Sequence, residues 1–421
     1  MKNPLLLLLI FVPLLLGGQT YDLETLIELG LEHSYDMQQE EVTYQNYRSY
    51  LTSSWLGLLP QATVNVSRIN SEVNIYNDNP VTGSTRDWSN SAGFSLTKSI
   101  SLNESDYYNI RTSVLNKKNA ELSLEDMRKE VAFQIFSKYL YVLETQKNLN
   151  IREENLRIQQ KIHDQIQVQY ETGDKSLLDL KLSEVTLIDY EIAVNEAENA
   201  LIQQRQDLFS YLNLTDAGYD LIEPEFTVRE QQPAYQDNNE LFRKRNLLKS
   251  SKLSSFQQLM DFLPTLSLGY HYYSNSTSEE LKDFDSYDDS YTISLTASYA
   301  IFDLFEKREA YARTRRNLRI QELDLVISEK DLKKSLSTLE SDLVTLRRSR
   351  DLYEEKLILS ESNLEMAQEQ FRLGMISTLD LDKVRLDYLN AQLSYNNRYY
   401  ELIRKQEEIN RKLSLLILGK W

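Results

Sequence analysis

Two stretches of the chain read almost alike: "QYETGDKSLLDL" at 169–180 and "QFRLGMISTLDL" at 370–381. In each, a glycine (Gly173, Gly374) interrupts a long run, and an aspartate (Asp179, Asp380) follows six positions later. Glycine at such a break supplies the positive φ that a helix-ending turn requires. An aspartate placed just after the turn meets the positive end of the next helix, where it can act as a cap.

Other residue types offer little chemistry. "EELKDFDSYDDS" (279–290) is as acidic as a calcium loop but lacks the ligand spacing and the glycine of one, so it reads as a solvated loop. His33, His163 and His271 show no ligand spacing, so no metal site is expected. Cysteine is absent, as are a nucleophile elbow and a phosphate loop. No catalytic constellation and no cofactor are expected, and the chain does not read as an enzyme. The formal net charge of −17 repels phosphate backbones and argues against nucleic acid as a partner.

The elements that position the two turns follow from periodicity. Residues 1–18 read as a signal peptide: Lys2, an apolar stretch from Leu5 to Leu16, then small Gly17 and Gly18. No later apolar run approaches the roughly twenty residues of a membrane helix, so a crossing would need strands. The first repeat, 19–213, reads as a helix over 21–57, strands at about 61–71 and 91–102, a helix over 103–169, the glycine turn and another helix. A polar loop fills the space between its strands. Residues 214–237 read as a linker. The second repeat, 238–421, has a helix over about 238–261, strands at about 264–274 and 290–302, a helix over 303–371, the second turn and a helix to about 418. Both long helices lack proline and glycine, and at 1.5 Å per residue each spans roughly 100 Å. Ile135, Val142, Leu149 and Leu156 recur at sevens, as do Leu318, Leu325, Leu332, Leu339 and Leu346. The protein is an internal duplication.

Four alternating strands in one chain leave two open edges, which invite aggregation in water and are forbidden in lipid. Three chains of four strands would close a twelve-stranded barrel, within the membrane range. Tyr270, Tyr272, Tyr273, Tyr291 and Tyr299 suit interfacial girdles. The competing reading of these strands is a soluble sandwich face.

With the "LLP" and "FLP" helix ends entering strands and the paired glycine turns in place, the chain resembles the TolC family of outer-membrane efflux proteins over essentially all of 21–419. The resemblance implies an α+β, mostly helical fold that forms a homotrimer. Its twelve-stranded barrel would lie in outer-membrane lipid and continue as an α-helical barrel through the periplasm. It also implies a periplasmic adaptor and an inner-membrane pump as partners, with Gly173 and Gly374 at the adaptor-facing tips. Asp179 matches an aspartate that ties the closed state. Asp380 matches a pore-lining aspartate, and the implied threefold ring of it would concentrate cations at a narrow mouth and deter anions. Crowded like charges in that ring resist full ionisation, which raises some of their pKa values, and Lys383, one helical turn on, would relieve the crowding. Lys383 stands where a second pore aspartate is expected. Phe371 and Ile376 stand where the tie would have a tyrosine and an arginine. The function implied is passive export of small molecules or proteins. The alternative is a periplasmic coiled-coil tether without a pore, for which tyrosine-rich alternating strands would be superfluous.

Overall fold

The computed structural model describes residues 20–75, 83–99, 105–224, 238–279 and 284–420. The expected signal peptide and residues 225–237 of the expected linker lie outside them. The chain runs β1 (Thr20–Tyr21), α1 (Leu23–His33), α2 (Tyr35–Leu56), β2 (Gln61–Ile75), β3 (Gly83–Ser99), α3 (Ser105–Glu171) and α4 (Leu177–Tyr211). It continues with β4 (Asp220–Leu221), α5 (Asn239–Met260), β5 (Thr265–Ser276), β6 (Asp288–Ser298), α6 (Leu304–Arg372) and α7 (Thr378–Lys412). The fold is mostly helical with a small antiparallel sheet and duplicated halves.

Several boundaries differ from those read in the sequence. The helix expected over 21–57 is two helices, parted at Ser34. The Ser34 N–H closes α1 on the Gly30 carbonyl at 2.8 Å, and its hydroxyl accepts from the Met37 N–H at 3.4 Å to open α2. Strands β2 and β3 reach far into the expected polar loop, because backbone pairing from Gln61↔Thr97 out to Ile75↔Gly83 needs no apolar alternation. Part of the acidic stretch expected as a loop, from Asp288, belongs to β6, whereas the run after Ser298 is no longer strand. The last helix stops at Lys412 rather than near 418, and Ser414 follows at φ 56°. The short β1–β4 pair was not legible in the sequence.

The described chain forms two compact units, and each draws on both repeats. One comprises the described residues of 1–39, 125–238 and 332–421; the other comprises those of 40–124 and 239–331. In the first unit, Leu26, Ile27, Ile135, Phe136, Leu140 and Leu208 form a fully buried core. Strands β1 and β4 pair in parallel beside it, and the Tyr139 hydroxyl donates to the Ile222 carbonyl at 2.5 Å. Helix α7 lies along α3. Asn396 Nδ2 donates to Asn148 Oδ1 at 2.8 Å, and Arg404 pairs with Glu144 at 2.6 Å.

The second unit is built on a four-stranded antiparallel sheet of order β2-β3-β5-β6, so the repeats join through β3 and β5. Its helices keep the same order. Ser54 of α2 meets Ser113 of α3 at 2.8 Å, Asn246 of α5 meets Asn119 of α3 at 2.9 Å, and Arg245 of α5 pairs with Glu329 of α6 at 3.6 Å. Side chains alternate between faces of a strand. The register therefore puts Val64, Phe94, Tyr272 and Tyr291 in one row, with Ala62, Leu96, Tyr270 and Ile293 in the next. The opposite face carries Thr63, Ser95, His271 and Thr292. It is the apolar face that lies open: Val66 is 80% exposed and Ile293 69%. Among the described residues, β2 and β6 are unpaired on their outer edges.

Candidate functional site

The two glycine turns lie in the first unit and share one construction. After α3, the Gly173 N–H donates to the Tyr170 carbonyl at 3.1 Å, and the Asp174 N–H reaches back to that of Gln169 at 2.8 Å. After α6, Gly374 donates to Phe371 at 3.0 Å and Met375 to Gln370 at 2.8 Å. This is the Schellman arrangement, which satisfies the last carbonyls of each helix and needs a left-handed residue. Gly173 has φ 85° and Gly374 φ 73°, so each glycine is present for its backbone.

Each aspartate closes the helix that follows. Ser176 and Ser377 are the N-caps, and the aspartates occupy the third helical position. Asp179 Oδ2 accepts from the Ser176 N–H at 3.0 Å and from its hydroxyl at 2.7 Å; Ser176 Oγ accepts from the Asp179 N–H at 3.2 Å. Asp380 and Ser377 repeat the pattern at 3.3, 2.6 and 3.2 Å. These are capping boxes. The spacing Ser-x-x-Asp carries that signal in the sequence, so the aspartates complete caps that serines make.

Hydrogen bonds from Ser377 hold the Asp380 carboxyl below the usual carboxylate range, and Lys383 adds a smaller effect in the same direction. Ser176 does the same for Asp179. Within one chain the direction is thus opposite to that expected of a crowded ring. Lys383 is exposed and forms no ion pair with Asp380 among the described residues.

One apolar cluster holds the two turns together. Ile162 and Ile166 of α3, Leu364 and Phe371 of α6 and Leu381 of α7 form its buried part, with Ile376 packed against it. Lys175, from the first turn, places its Nζ 5.0 Å from the Phe371 ring centroid. Phe371 and Ile376, read as departures from a polar tie, are therefore packing residues here. Leu178, Met375 and Leu379 remain open to solvent at the turns, Met375 and Leu379 at 70%.

Residues 257–413 match the family model described as outer membrane efflux protein. The Campylobacter jejuni CmeC outer membrane channel is similar with a TM-score of 0.82 at 17% identity, over 93% of this chain and 85% of that one. VceC, an outer membrane protein of Vibrio cholerae, is similar at 0.85 and 12%, over 94% and 96%. The open state of the Neisseria gonorrhoeae MtrE outer membrane channel gives 0.80 and 12%, over 93% and 89%. Its fold is that of the outer-membrane channels. No curated protein sequence matches the chain. The likeness read from the paired turns agrees with both the family model and these structures.

Within this channel fold, sequence reasoning passed over a buried polar cluster close behind the second turn. Arg385 of α7 is only 1% exposed; it donates to the Gln159 side chain and, at 3.2 Å, to the Asn155 carbonyl. Asp382 lies 3.8 Å from Arg385, and the Tyr190 ring centroid 5.2 Å from its guanidinium. Burial raises the Asp382 pKa, with Arg385 opposing, and burial lowers that of Arg385. Asp382 and Arg385 fall three apart on the inward face of α7, the spacing that could have flagged them.

Proposed function

We propose that the protein is an outer-membrane channel through which cargo leaves passively, driven by an inner-membrane pump through a periplasmic adaptor. One observation carries this reading. The sheet exposes its apolar face, keeps a polar face behind it and, among the described residues, leaves both edges unpaired. A soluble sheet would bury the apolar side, whereas a membrane barrel turns it to lipid and its polar side to a lumen. Three copies, each giving four strands, would remove every edge. The outer-membrane efflux match over 257–413 supports the same reading.

In this assembly the helices belong to the periplasm. Asp179 and Asp380 with Lys383 and Phe371 stand at the entrance, and the turns around Gly173 and Gly374 face the adaptor. Exposed Met375 and Leu379 support an apolar contribution to that contact. Nothing in the reading calls for catalysis.

Electron microscopy of the mature protein extracted in detergent tests the proposal. The expected image is a threefold hollow tube. Monomers or solid rods would favour a periplasmic tether, which a salt wash would also release from membranes.

A further inference from the structure

The apolar face of the sheet ends in a cation at both borders. At the helical end it reaches Lys98, which the register places on the same side as Leu268 and Leu295. Lys98 Nζ is engaged there by Asp106 at 2.6 Å and by the Gly57 carbonyl at 3.0 Å. At the far end the same face reaches Arg68 and Trp88, whose strands pair through Arg68↔Asn90 and Asn70↔Trp88. The Arg68 guanidinium lies 4.1 Å from the Trp88 ring centroid. Its Nη2 donates to the Glu279 carbonyl at 2.9 Å, and buried Asn90 donates to the Ser278 carbonyl at 2.7 Å. The corner is thus tied down, while Arg68 itself stays exposed. Unlike Lys98, Arg68 has no carboxylate partner among the described residues.

The two borders are a membrane apart. From Trp88 to Lys98 the strand rises about 33 Å at roughly 3.3 Å per residue. A tilt of about 35–45° reduces this to about 25 Å, the height of the apolar band of outer-membrane barrels. A stacked arginine and tryptophan at that depth combine an interfacial indole with a fork of donors suited to phosphate.

We propose that Arg68, stacked on Trp88, clamps the phosphate of a lipid headgroup in the leaflet remote from the helices. This rests on the membrane-channel reading. The guanidinium takes two phosphate oxygens in charge-assisted hydrogen bonds, and the indole lies at the boundary between headgroups and acyl chains. Lys98 does not do the same at the other border, because Asp106 already neutralises it.

The test uses the full mature protein in nanodiscs of phosphatidylcholine doped with phosphatidic acid. In a variant with Trp55→Phe and Trp421→Phe, Trp88 fluorescence is quenched by lipids brominated at different depths. Strongest quenching by bromines near the glycerol is expected; none, or strongest quenching by bromines at the chain ends, would sink the membrane placement and the clamp with it. Native mass spectrometry then measures retained phosphatidic acid. Arg68→Gln should lower retention about tenfold, as loss of hydrogen bonds to a charged group implies, with Arg68→Lys intermediate. Unchanged retention in Arg68→Gln, with Trp88 still quenched near the glycerol, would overturn the clamp while leaving the channel standing. Displacement of the lipid by inorganic phosphate would also overturn it, since the site would then bind the free anion.

Discussion

Ser377 and Ser176 do more for the turns than the aspartates that first attract notice. Each serine's oxygen accepts from the aspartate N–H and its hydroxyl donates to the carboxylate, so losing the side chain removes both of those bonds and leaves the box only the one from the serine's own N–H. Ser377→Ala should cost about 1 kcal/mol of local stability, seen as faster hydrogen exchange over the first turn of α7. Acid should act at the same place. The carboxyls of Asp179 and Asp380 lie below the ordinary aspartate value of 3.8, so their contribution is complete above it and is lost as pH falls through the lower folded value. Exchange at both helix starts, corrected for its intrinsic rate, should therefore rise only below about pH 4. Asp382 has the opposite sign. Burial raises its pKa, so its contribution is present below the ordinary value and is lost as pH rises through the folded one.

At the scale of elements, the two long helices and the turns were legible, whereas the break at Ser34, the end of the last helix and part of the sheet were not. Uninterrupted runs without glycine or proline announce α3 and α6, and the repeated motif announces their ends. The outer halves of β2 and β3 were hidden because "SEVNI" and "GSTRDWSNS" show no alternation; backbone pairing alone carries them. The apolar cluster under the turns was hidden for another reason. Its members come from α3, α6 and α7, and only folding brings those stretches together. Phe371→Ala, at a site only 6% exposed, should cost about 3–5 kcal/mol and loosen both turns together, measurable as protease cleavage near Gly173 as well as Gly374. On the sheet, Ile293→Lys should cost about 2–4 kcal/mol in the membrane although Ile293 is exposed in the single chain. Thr292→Lys, next to it on the polar face, should fold and assemble normally. The yield of assembled protein in the two variants compares them directly.

For the molecule as a whole, the charge of the proposed entrance is the property most open to measurement. Asp380→Ala should change cation selectivity or cation block in planar bilayers, because an exposed carboxylate would be repeated around a narrow mouth. Unchanged conductance, selectivity and block would leave Asp380 with its cap alone. The order β2-β3-β5-β6 also has a consequence in time. Strand β3 finds its second neighbour about 180 residues later in the chain. At roughly 5–20 residues per second, synthesis leaves it waiting about 10–35 s. For that interval a hairpin with an apolar face and a bare edge exists without the strands that complete its sheet. Contacts so distant in sequence also form slowly once both partners are present. That hairpin is therefore the segment of the sheet most open to aggregation, and slowing synthesis between β3 and β5 should give aggregates before it gives misfolded protein.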